Sequence, residues 1–231
     1  MKKIVLLIVL LSVGVWCAAA QKPTAPVKSI KSPTPMPIVK EFSNAEWKVL
    51  TDSVKAEDWT KSAAVAADYL EKLKTDNDKK QLAQLRYLRL FALAGKILAV
   101  SAANVPANTD ALWKELDDAA SAFNGREFVL PPHLYLHSCI NGAKRAANYI
   151  CPVAGDERAL RITATNKEGT AIHSFDYVAF DDKNSIANLP ESELFLGGIL
   201  RRVEYNQNAA KPWVMRLIFD KGFASVVAGG K

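Results

Sequence analysis

The apolar residues in the first half of the chain recur at the spacing of α-helices. Within 58–74 they are separated by four, three, four and three residues, which places them on one face of a helix. Within 79–101 they lie on several sides, so this helix is expected at the centre, and Gly95 would let a neighbouring helix approach closely. Ser43 and Glu46 have the spacing of a capping box. The pattern predicts four helices, over about 43–53, 58–74, 79–101 and 109–123.

From Asn124 the pattern changes to the alternation that is typical of strands. The segments ALRITATN and AIHSFDYVAF, separated by the turn KEGT, form the clearest predicted hairpin, and LFLGGILRRVEYN and PWVMRLIFD are the last strong strands. Asn141-Gly142 marks a further turn, and Gly197-Gly198 predicts a bulge or a sharp bend. Five or six strands with bent glycine positions indicate a small closed or half-closed antiparallel β-barrel.

Two resemblances follow from these patterns. The antiparallel helical pairs of 41–123, with their Trp, Ala and Tyr spacings, resemble tetratricopeptide hairpins, and a small four-helix bundle is the alternative. The strand order and the segment GGILRRVEYN resemble an OB-fold or a similar small barrel. Both are resemblances of fold and imply no ligand. The predicted class is α+β, with N-terminal helical hairpins or a bundle followed by an OB-like antiparallel barrel.

The first twenty residues have the order of a secretory signal peptide. Two lysines precede an apolar run over 4–16, and three alanines end at Ala20, after which cleavage is expected. The apolar run is too short to span a bilayer comfortably, so no transmembrane segment is expected once it is removed. Cys17 follows the bulky Trp16, which argues against lipid anchoring because lipidated cysteines follow a small residue. The protein is therefore expected in the periplasm or outside the cell.

The next segment, 21–40, has the composition of a linker. It holds five prolines and four lysines and has no periodic apolar pattern, which indicates a semi-extended spacer or an N-terminus without a role. The predicted organisation is a signal peptide, a linker, a helical domain and a barrel domain, over 1–20, 21–40, 41–123 and 124–231. The pattern leaves open whether the two domains pack together.

The basic charge of the chain is concentrated outside the predicted domains. The chain has 30 basic and 24 acidic residues. Two of the lysines lie in the signal peptide and four in the linker, so residues 41–231 hold 24 basic and 24 acidic residues. A neutral body lacks the basic footprint of a nucleic-acid-binding protein. A protein or an envelope polymer is the expected partner.

Cys139 and Cys151 are the two cysteines that remain after the signal peptide. In an oxidising compartment a pair of cysteines favours a disulfide, and these two flank the turn at Asn141-Gly142. The sequence therefore predicts a Cys139–Cys151 disulfide. The alternative is two buried thiols that behave as small apolar residues.

A metal site can be drawn around the same cysteines. His133, His137 and Cys139 would share one face of a strand, and Cys151 and His173 could join them. No CxxC pair or HxxxH helix supports such a site, and oxidation of the cysteines would remove its thiolates. No metal is predicted.

The catalytic candidates are equally weak. His173 and Ser174 are neighbours and would point to opposite faces of a strand, which separates them although Asp176 lies close by. The sequence has no GxSxG, HExxH or phosphate-binding glycine loop. Asp181-Asp182 and Asn184 lack the spacing of a calcium loop and indicate a polar turn. No catalytic residue and no cofactor are predicted.

One ligand-binding face is conceivable on the barrel. Tyr205, Trp213 and Arg216, with Arg201 and Arg202, would combine aromatic and basic groups of the kind that bind glycans, peptides or single strands. Trp213 and Arg216 would lie on opposite sides of one strand, which divides the face. A core tryptophan with solvated arginines is the competing interpretation.

Together these observations favour an exported, non-enzymatic binding or scaffolding protein of the bacterial envelope. The first alternative is a hydrolase of envelope polymers with a site at the domain junction. The second is binding of single-stranded oligonucleotides or glycans by the barrel, and a structural part of a larger assembly is a further one. The identity of the ligand and the oligomeric state are open at this point.

Overall fold

The helical part of the chain contains the four helices that the periodicity predicts. They are α1 (Asn44–Ala56), α2 (Trp59–Lys72), α3 (Lys79–Ala102) and α4 (Thr109–Phe123). A computed structural model describes residues 43–73, 79–102, 109–138, 149–162, 164–165, 171–206 and 214–227. The predicted signal peptide, the linker and the predicted turn at Asn141-Gly142 lie outside these residues. Within them, no helix is both long and apolar enough to cross a membrane.

Capping fixes both ends of α1 and the start of α2. The Ser43 hydroxyl accepts from the Glu46 amide at 3.3 Å, and the Glu46 carboxylate accepts from the Ser43 amide at 3.0 Å, which confirms the capping box. The first helix ends at Glu57, whose φ of 59° lies in the left-handed region. Asp58 follows at once and caps α2 by accepting from the Lys61 amide at 3.1 Å. The two helices are thus joined by a corner of two residues.

Helix α3 is central, as its apolar pattern predicts. It contacts α2, α4 and the β-sheet, and its buried residues point in several directions. Gly95 is the position of closest approach, since its backbone lies directly against the indole of Trp59 in α2. The close helix contact predicted at Gly95 is therefore confirmed.

The described residues of the second half of the chain form eight strands and one short helical turn. The strands are β1 (Glu127–Val129), β2 (His133–Leu134), β3 (Cys151–Val153), β4 (Asp156–Arg161), β5 (Ala164–Thr165), β6 (Ala171–Ala179), β7 (Glu193–Tyr205) and β8 (Met215–Val226). The turn α5 (Asn184–Ala187) lies between β6 and β7. The α+β class is confirmed.

The sheet is mixed and not purely antiparallel. Its strands are ordered β1-β7-β8-β6-β4-β3, with β2 also paired to β7 and β5 to β6. The pair β6–β8 is parallel, so the expectation of an antiparallel barrel is wrong for this pair. After β6 the chain passes through α5 and enters β7, and one strand position is left between β6 and β7. Strand β8 then runs antiparallel to β7 and fills this position beside β6. Alternation of apolar residues gives the faces of a strand but not its direction, which is why the sequence could not reveal this.

Among the described residues, the ladder of paired strands runs from β1 to β3 and no further ladder closes it. One isolated bridge joins the chain just beyond β2 to the chain that enters β3, between Tyr135 and Ile150. The Leu136 amide donates to the Ile150 carbonyl and the Ile150 amide to the Leu134 carbonyl, each at 2.9 Å. The described sheet is thus an open one with a single point of contact between its two ends.

The predicted bend at Gly197-Gly198 is confirmed. Gly197 pairs with Phe223, whereas Ile199 pairs with Asp220, so β8 carries an extra residue at this point. Lys221, within the bulge, has a φ of 50°. A Cβ atom at position 197 would lie 2.6 Å from the Phe128 carbonyl oxygen and would also meet the Phe223 ring, so glycine is required for this approach.

Helices and sheet share one hydrophobic core. Phe123 at the end of α4 packs edge-to-face on Phe128 in β1, with ring centroids 6.1 Å apart. The Arg86 guanidinium of α3 donates to the Glu127 carbonyl at 2.8 Å and so occupies part of the β1 edge. The described residues, which run from 43 to 227 with gaps, belong to one compact unit. The helical part and the β part therefore pack together, the point that the sequence left open.

Candidate functional site

A groove opens on the helical layer beside Trp59. It has a volume of about 500 Å³ and lies between the α1–α2 corner, the last turns of α3 and the start of α4. The residues that define the groove are Glu57, Asp58, Trp59, Lys96, Ala99 and Leu112. Its volume is in the range of sites that hold small ligands or single side chains.

The floor of the groove is the indole of Trp59, which is fixed from two sides. The backbone of Gly95 covers one part of the ring, and Phe91 meets the ring edge-to-face with centroids 5.6 Å apart. Only 8 % of the Trp59 surface is exposed. Because the ring cannot move without displacing α3, the floor is formed before any ligand arrives.

The α1–α2 corner supplies the acidic side of the groove, through Glu57 and Asp58. The corner is rigid because the Asp58 amide donates to the Ser53 carbonyl at 3.0 Å. Beneath it, the buried Ser62 hydroxyl donates to the Ser53 hydroxyl at 2.9 Å. Two carboxylates are thus held on a short, well-anchored segment, and Asp58 also acts as the cap of α2.

The opposite side of the groove carries Lys96, which shares a carboxylate with Arg89. The Glu115 carboxylate accepts from the Lys96 ammonium at 2.9 Å and from the Arg89 guanidinium at 2.8 Å. Arg89 also donates to the Ala63 carbonyl at 2.6 Å, so the network joins α2, α3 and α4. Burial alone would raise the pKa of Glu115, but Lys96 and Arg89 outweigh it and hold that pKa below its ordinary value. Glu115 therefore stays ionised and is shared by the two cations.

The groove has the composition of a binding site. Apart from the charged groups it presents the methyl groups of Ala99, Val100 and Leu112 and the hydroxyl of Thr60. The residues that line it include no imidazole or thiol in the described part of the chain. Such a lining can hold an apolar group and a charge.

The ligand-binding face predicted on the barrel is divided in the structure. Tyr205 pairs with Met215, and its neighbour Glu204 pairs with Arg216, so Tyr205 and Arg216 lie on opposite faces of the sheet. Trp213 lies outside the described residues. The predicted ligand-binding face is therefore divided, with Tyr205 on one side of the sheet and Arg216 on the other.

Tyr205 faces the helices. Its ring packs edge-to-face on Trp113 of α4 at 6.0 Å, and its hydroxyl donates to the Asp117 carboxylate. Burial, together with the Asp117 carboxylate, raises the pKa of Tyr205 well above its ordinary value. Tyr205 therefore connects the sheet to α4 and serves packing.

The arginines occupy the other face as ion pairs. Arg216 bonds the Glu204 carboxylate at 3.1 Å, and its guanidinium lies 5.6 Å from the centre of the Tyr177 ring. Arg202 bonds the same Glu204 at 2.8 Å. Arg201 pairs with Asp220 at 3.5 Å in the exposed part of the hairpin. Arg202 and Arg216 thus share one carboxylate, and Arg201 pairs with another.

The two histidine candidates whose side chains are described, His133 and His137, have separate partners. The Nδ1 atom of His133 lies 2.6 Å from the Pro131 carbonyl oxygen, which ties the ring to its own backbone. The Nδ1 atom of His137 lies 3.4 Å from the Tyr135 hydroxyl, and the His137 amide donates to Glu191 at 3.1 Å. Among the residues that the structure describes, no three potential ligands form a group that could hold a metal ion.

The remaining candidates lie in strands or turns. Cys151 begins β3 and is 3 % exposed, whereas Cys139 lies outside the described residues, so the disulfide stays a prediction. His173, Ser174 and Asp176 all belong to β6, and their side chains are outside the described part.

The acidic segment after β6 forms a local turn. The Asp182 carboxylate accepts from the Asn184 amide at 2.9 Å at the start of α5, and Asp181 is exposed beside it. This is the geometry of an Asx turn. The polar turn predicted here is present.

The sequence did not reveal the groove. Its residues come from three separate elements, and Glu57-Asp58-Trp59 is no recognised motif. The one available signal was Gly95 inside an apolar helix, which indicated a close contact but not its partner. No family model, curated protein or solved structure matches the chain. The groove and its neighbouring charges are therefore the basis for a functional proposal.

Proposed function

We propose that this chain is an exported, non-enzymatic binding or scaffolding protein of the bacterial envelope, and that the groove is its binding site. The observation that carries the proposal is the fixed Trp59 floor beneath an acidic corner. A rigid apolar floor with a few charged groups at its sides is typical of sites that bind a ligand. Export rests on the leader pattern of residues 1–20.

The non-enzymatic part of the proposal is supported by the way charges are used near the groove. Asp58 accepts a hydrogen bond as a helix cap, and Glu115 accepts from both Lys96 and Arg89. Groups engaged in this way hold helices together and are poorly placed to accept a proton from a substrate. The proposal therefore assigns these charges to structure and to recognition.

The finer fold proposal is that the β part is an OB-like barrel behind tetratricopeptide-like hairpins. An OB-fold is a partly open five-stranded Greek-key barrel. The bridge between Tyr135 and Ile150 supports this proposal, because it lies where the two ends of the sheet would meet. In this arrangement the barrel serves as the support of the helical layer.

The proposal is tested by affinity capture with a matched pair of variants. The full mature chain, tagged at its C-terminus, is used as bait in an envelope extract. Ala99→Trp fills the groove from α3, and Ala64→Trp places the same side chain on an exposed position of α2 outside it. We expect a reproducible partner with the wild type and with Ala64→Trp, and its loss with Ala99→Trp. The same capture with all three baits, or none with any, would reject the groove as the binding site.

A second candidate function is glycan binding on the face that carries Arg216. There the guanidinium of Arg216 lies against Tyr177, and Glu204 adds an acceptor, so an aromatic ring and planar polar groups are combined. Tyr177→Ala should then weaken binding of envelope glycans in a sedimentation assay, whereas Ala99→Trp should not. The reverse result assigns binding to the groove.

A further inference from the structure

We infer that the sheet face that carries Arg216 binds an acidic polysaccharide, with a sugar carboxylate on Arg202 and the sugar rings along a row of side chains across four strands. The inference rests on the second candidate function, glycan binding on this face, and names the class of glycan. It is carried by the register of the strands and by the way in which two arginines share one carboxylate.

The register of the strands places outward-facing side chains in one row. Tyr177 of β6 pairs with Ile218 of β8, and Ile218 pairs with Arg202 of β7. Arg161 of β4 continues the row, because the register of β4 and β6 brings it beside Tyr177. Each of the positions on β4, β6 and β8 is next to a buried residue, so its own side chain lies on the outer face. Since neighbouring strands are about 4.8 Å apart, the row spans roughly 14 Å and suits an extended ligand.

The cation best placed to take an acidic group is Arg202. Its guanidinium donates to one oxygen of Glu204 through Nε at 3.1 Å and Nη2 at 2.8 Å, and Arg216 donates to the other oxygen at 3.1 Å. One carboxylate therefore serves two guanidiniums. The described contacts leave Nη1 of Arg202 without a hydrogen bond, and its side chain is 50 % exposed. A planar guanidinium with an unused, exposed donor group is suited to a carboxylate.

The rest of the row suits the hydroxyl groups and the apolar faces of a sugar. A carboxylate has about four acceptor positions, and the two arginines occupy three of those on Glu204, so it can still accept from a sugar hydroxyl. Tyr177, with the guanidinium of Arg216 at 5.6 Å from its ring centre, and Ile218 form the apolar middle of the row. The face thus combines one acceptor, an apolar strip and a cation.

Single-stranded nucleic acid fits this face less well. Proteins that bind it stack successive bases on several aromatic rings, whereas Tyr177 is the one aromatic side chain in the described row. Residues 41–231 have no excess of basic residues to attract a phosphate backbone. An acidic peptide could also approach Arg202, but it lacks the row of hydroxyl groups that Glu204 would accept from. These differences select the probes of the experiment.

The inference is tested by calorimetric titration of the full mature chain with hexagalacturonate, maltohexaose, a hexaglutamate peptide and hexathymidylate. We expect binding of hexagalacturonate, weakened by added salt, and at least about tenfold weaker binding of the other three. Equal binding of maltohexaose would overturn the role of the acid. Equal or tighter binding of the peptide or the nucleotide would replace the polysaccharide by that class of ligand. The absence of binding by all four probes would also overturn the inference.

Two variants, each with the loss of one positive charge, connect the binding to Arg202. Arg202→Gln leaves Glu204 bonded to Arg216, so the fold should be retained. It should weaken hexagalacturonate by about three- to tenfold, between the effect of an exposed ion pair and that of a charge-assisted hydrogen bond. Lys114→Gln, at an exposed position of α4 on the other side of the sheet, should leave the affinity unchanged. An unchanged affinity with Arg202→Gln, or equal losses with both variants, would overturn the inference.

Failure of the inference is distinguishable from failure of the second candidate function. If Tyr177→Ala weakens sedimentation with envelope glycans while hexagalacturonate and maltohexaose bind alike, the face binds glycans but does not select an acid. If Tyr177→Ala changes neither the sedimentation nor any titration, the face is not a glycan site and both proposals are wrong. Ala99→Trp should affect none of these titrations, because the groove lies in the helical layer.

Discussion

The contact between Gly95 and Trp59 predicts that Gly95→Ala destabilises the protein. A Cβ atom at position 95 would lie 2.7 Å from Cε3 and 2.8 Å from Cε2 of the indole. Carbon atoms in contact are normally about 3.5–4.0 Å apart. The ring would have to retreat by about 1 Å, and Phe91, which packs edge-to-face on the ring, restricts that movement.

The magnitude follows from two opposing terms. Alanine in place of glycine in a helix interior gains about 1 kcal/mol of helix propensity. Overpacking a well-packed core costs about 1–3 kcal/mol, and the fixed ring places this contact in the upper half of that range. We therefore expect a net loss of about 1–2 kcal/mol in the free energy of unfolding. The groove should also lose affinity, because the displaced ring is its floor.

The assay is urea unfolding of the mature chain followed by far-ultraviolet circular dichroism. Trp59→Phe supplies the control, since the smaller ring leaves room for the added methyl group. In that background Gly95→Ala should be neutral or stabilising, so the double-mutant cycle should give a coupling of at least about 1 kcal/mol. A gain of about 1 kcal/mol from Gly95→Ala in the wild-type background would refute the reasoning.

Three further predictions concern the charged, titrating and oxidised groups. Glu115→Gln should lower the free energy of unfolding in urea by about 1 kcal/mol. It should also flatten the loss of stability in acid. The lowered pKa of Glu115 stabilises the fold at pH values above the unfolded-state pKa, and this contribution is lost as the pH falls through the folded-state pKa. The raised pKa of Tyr205 acts in the other direction: stability should fall as the pH rises above about 10, and the decline should be less steep in Tyr205→Phe. Peptide mapping with and without reductant should find the Cys139–Cys151 disulfide, and its reduction should cost about 3 kcal/mol; two free thiols in untreated protein would reject the bridge.

Much of the helical layer could be predicted because its causes are local. The Ser43–Glu46 capping box, the apolar face of α2 and the burial of α3 on several sides depend on residues that lie within a few positions of one another. Gly95 also gave a correct expectation of close contact. The bend at Gly197-Gly198 belongs to the same class, since a missing side chain marks the place where another group approaches.

The direction of the strands and the groove could not be predicted, because both depend on tertiary arrangement. The parallel pair β6–β8 results from where β8 enters the sheet, and alternation is identical for either direction. Tyr205 and Arg216 could be assigned to faces only from the register of β7 and β8, which two bulges shift. The groove combines residues as distant in sequence as Glu57 and Leu112, and none of the separate segments carries a signal for it.

The β part can determine the affinity of the groove without lining it. Helix α4 carries Leu112 in the groove and, near its middle, rests on Tyr205 of the sheet. Helix α3 carries Ala99 in the groove and is tied to β1 through Arg86. Both apolar sides of the groove are therefore positioned by contacts with the sheet. A change that loosens these contacts should widen the groove and lower its affinity. A loss of binding therefore assigns a residue to the site only where the stability of the variant protein is unchanged.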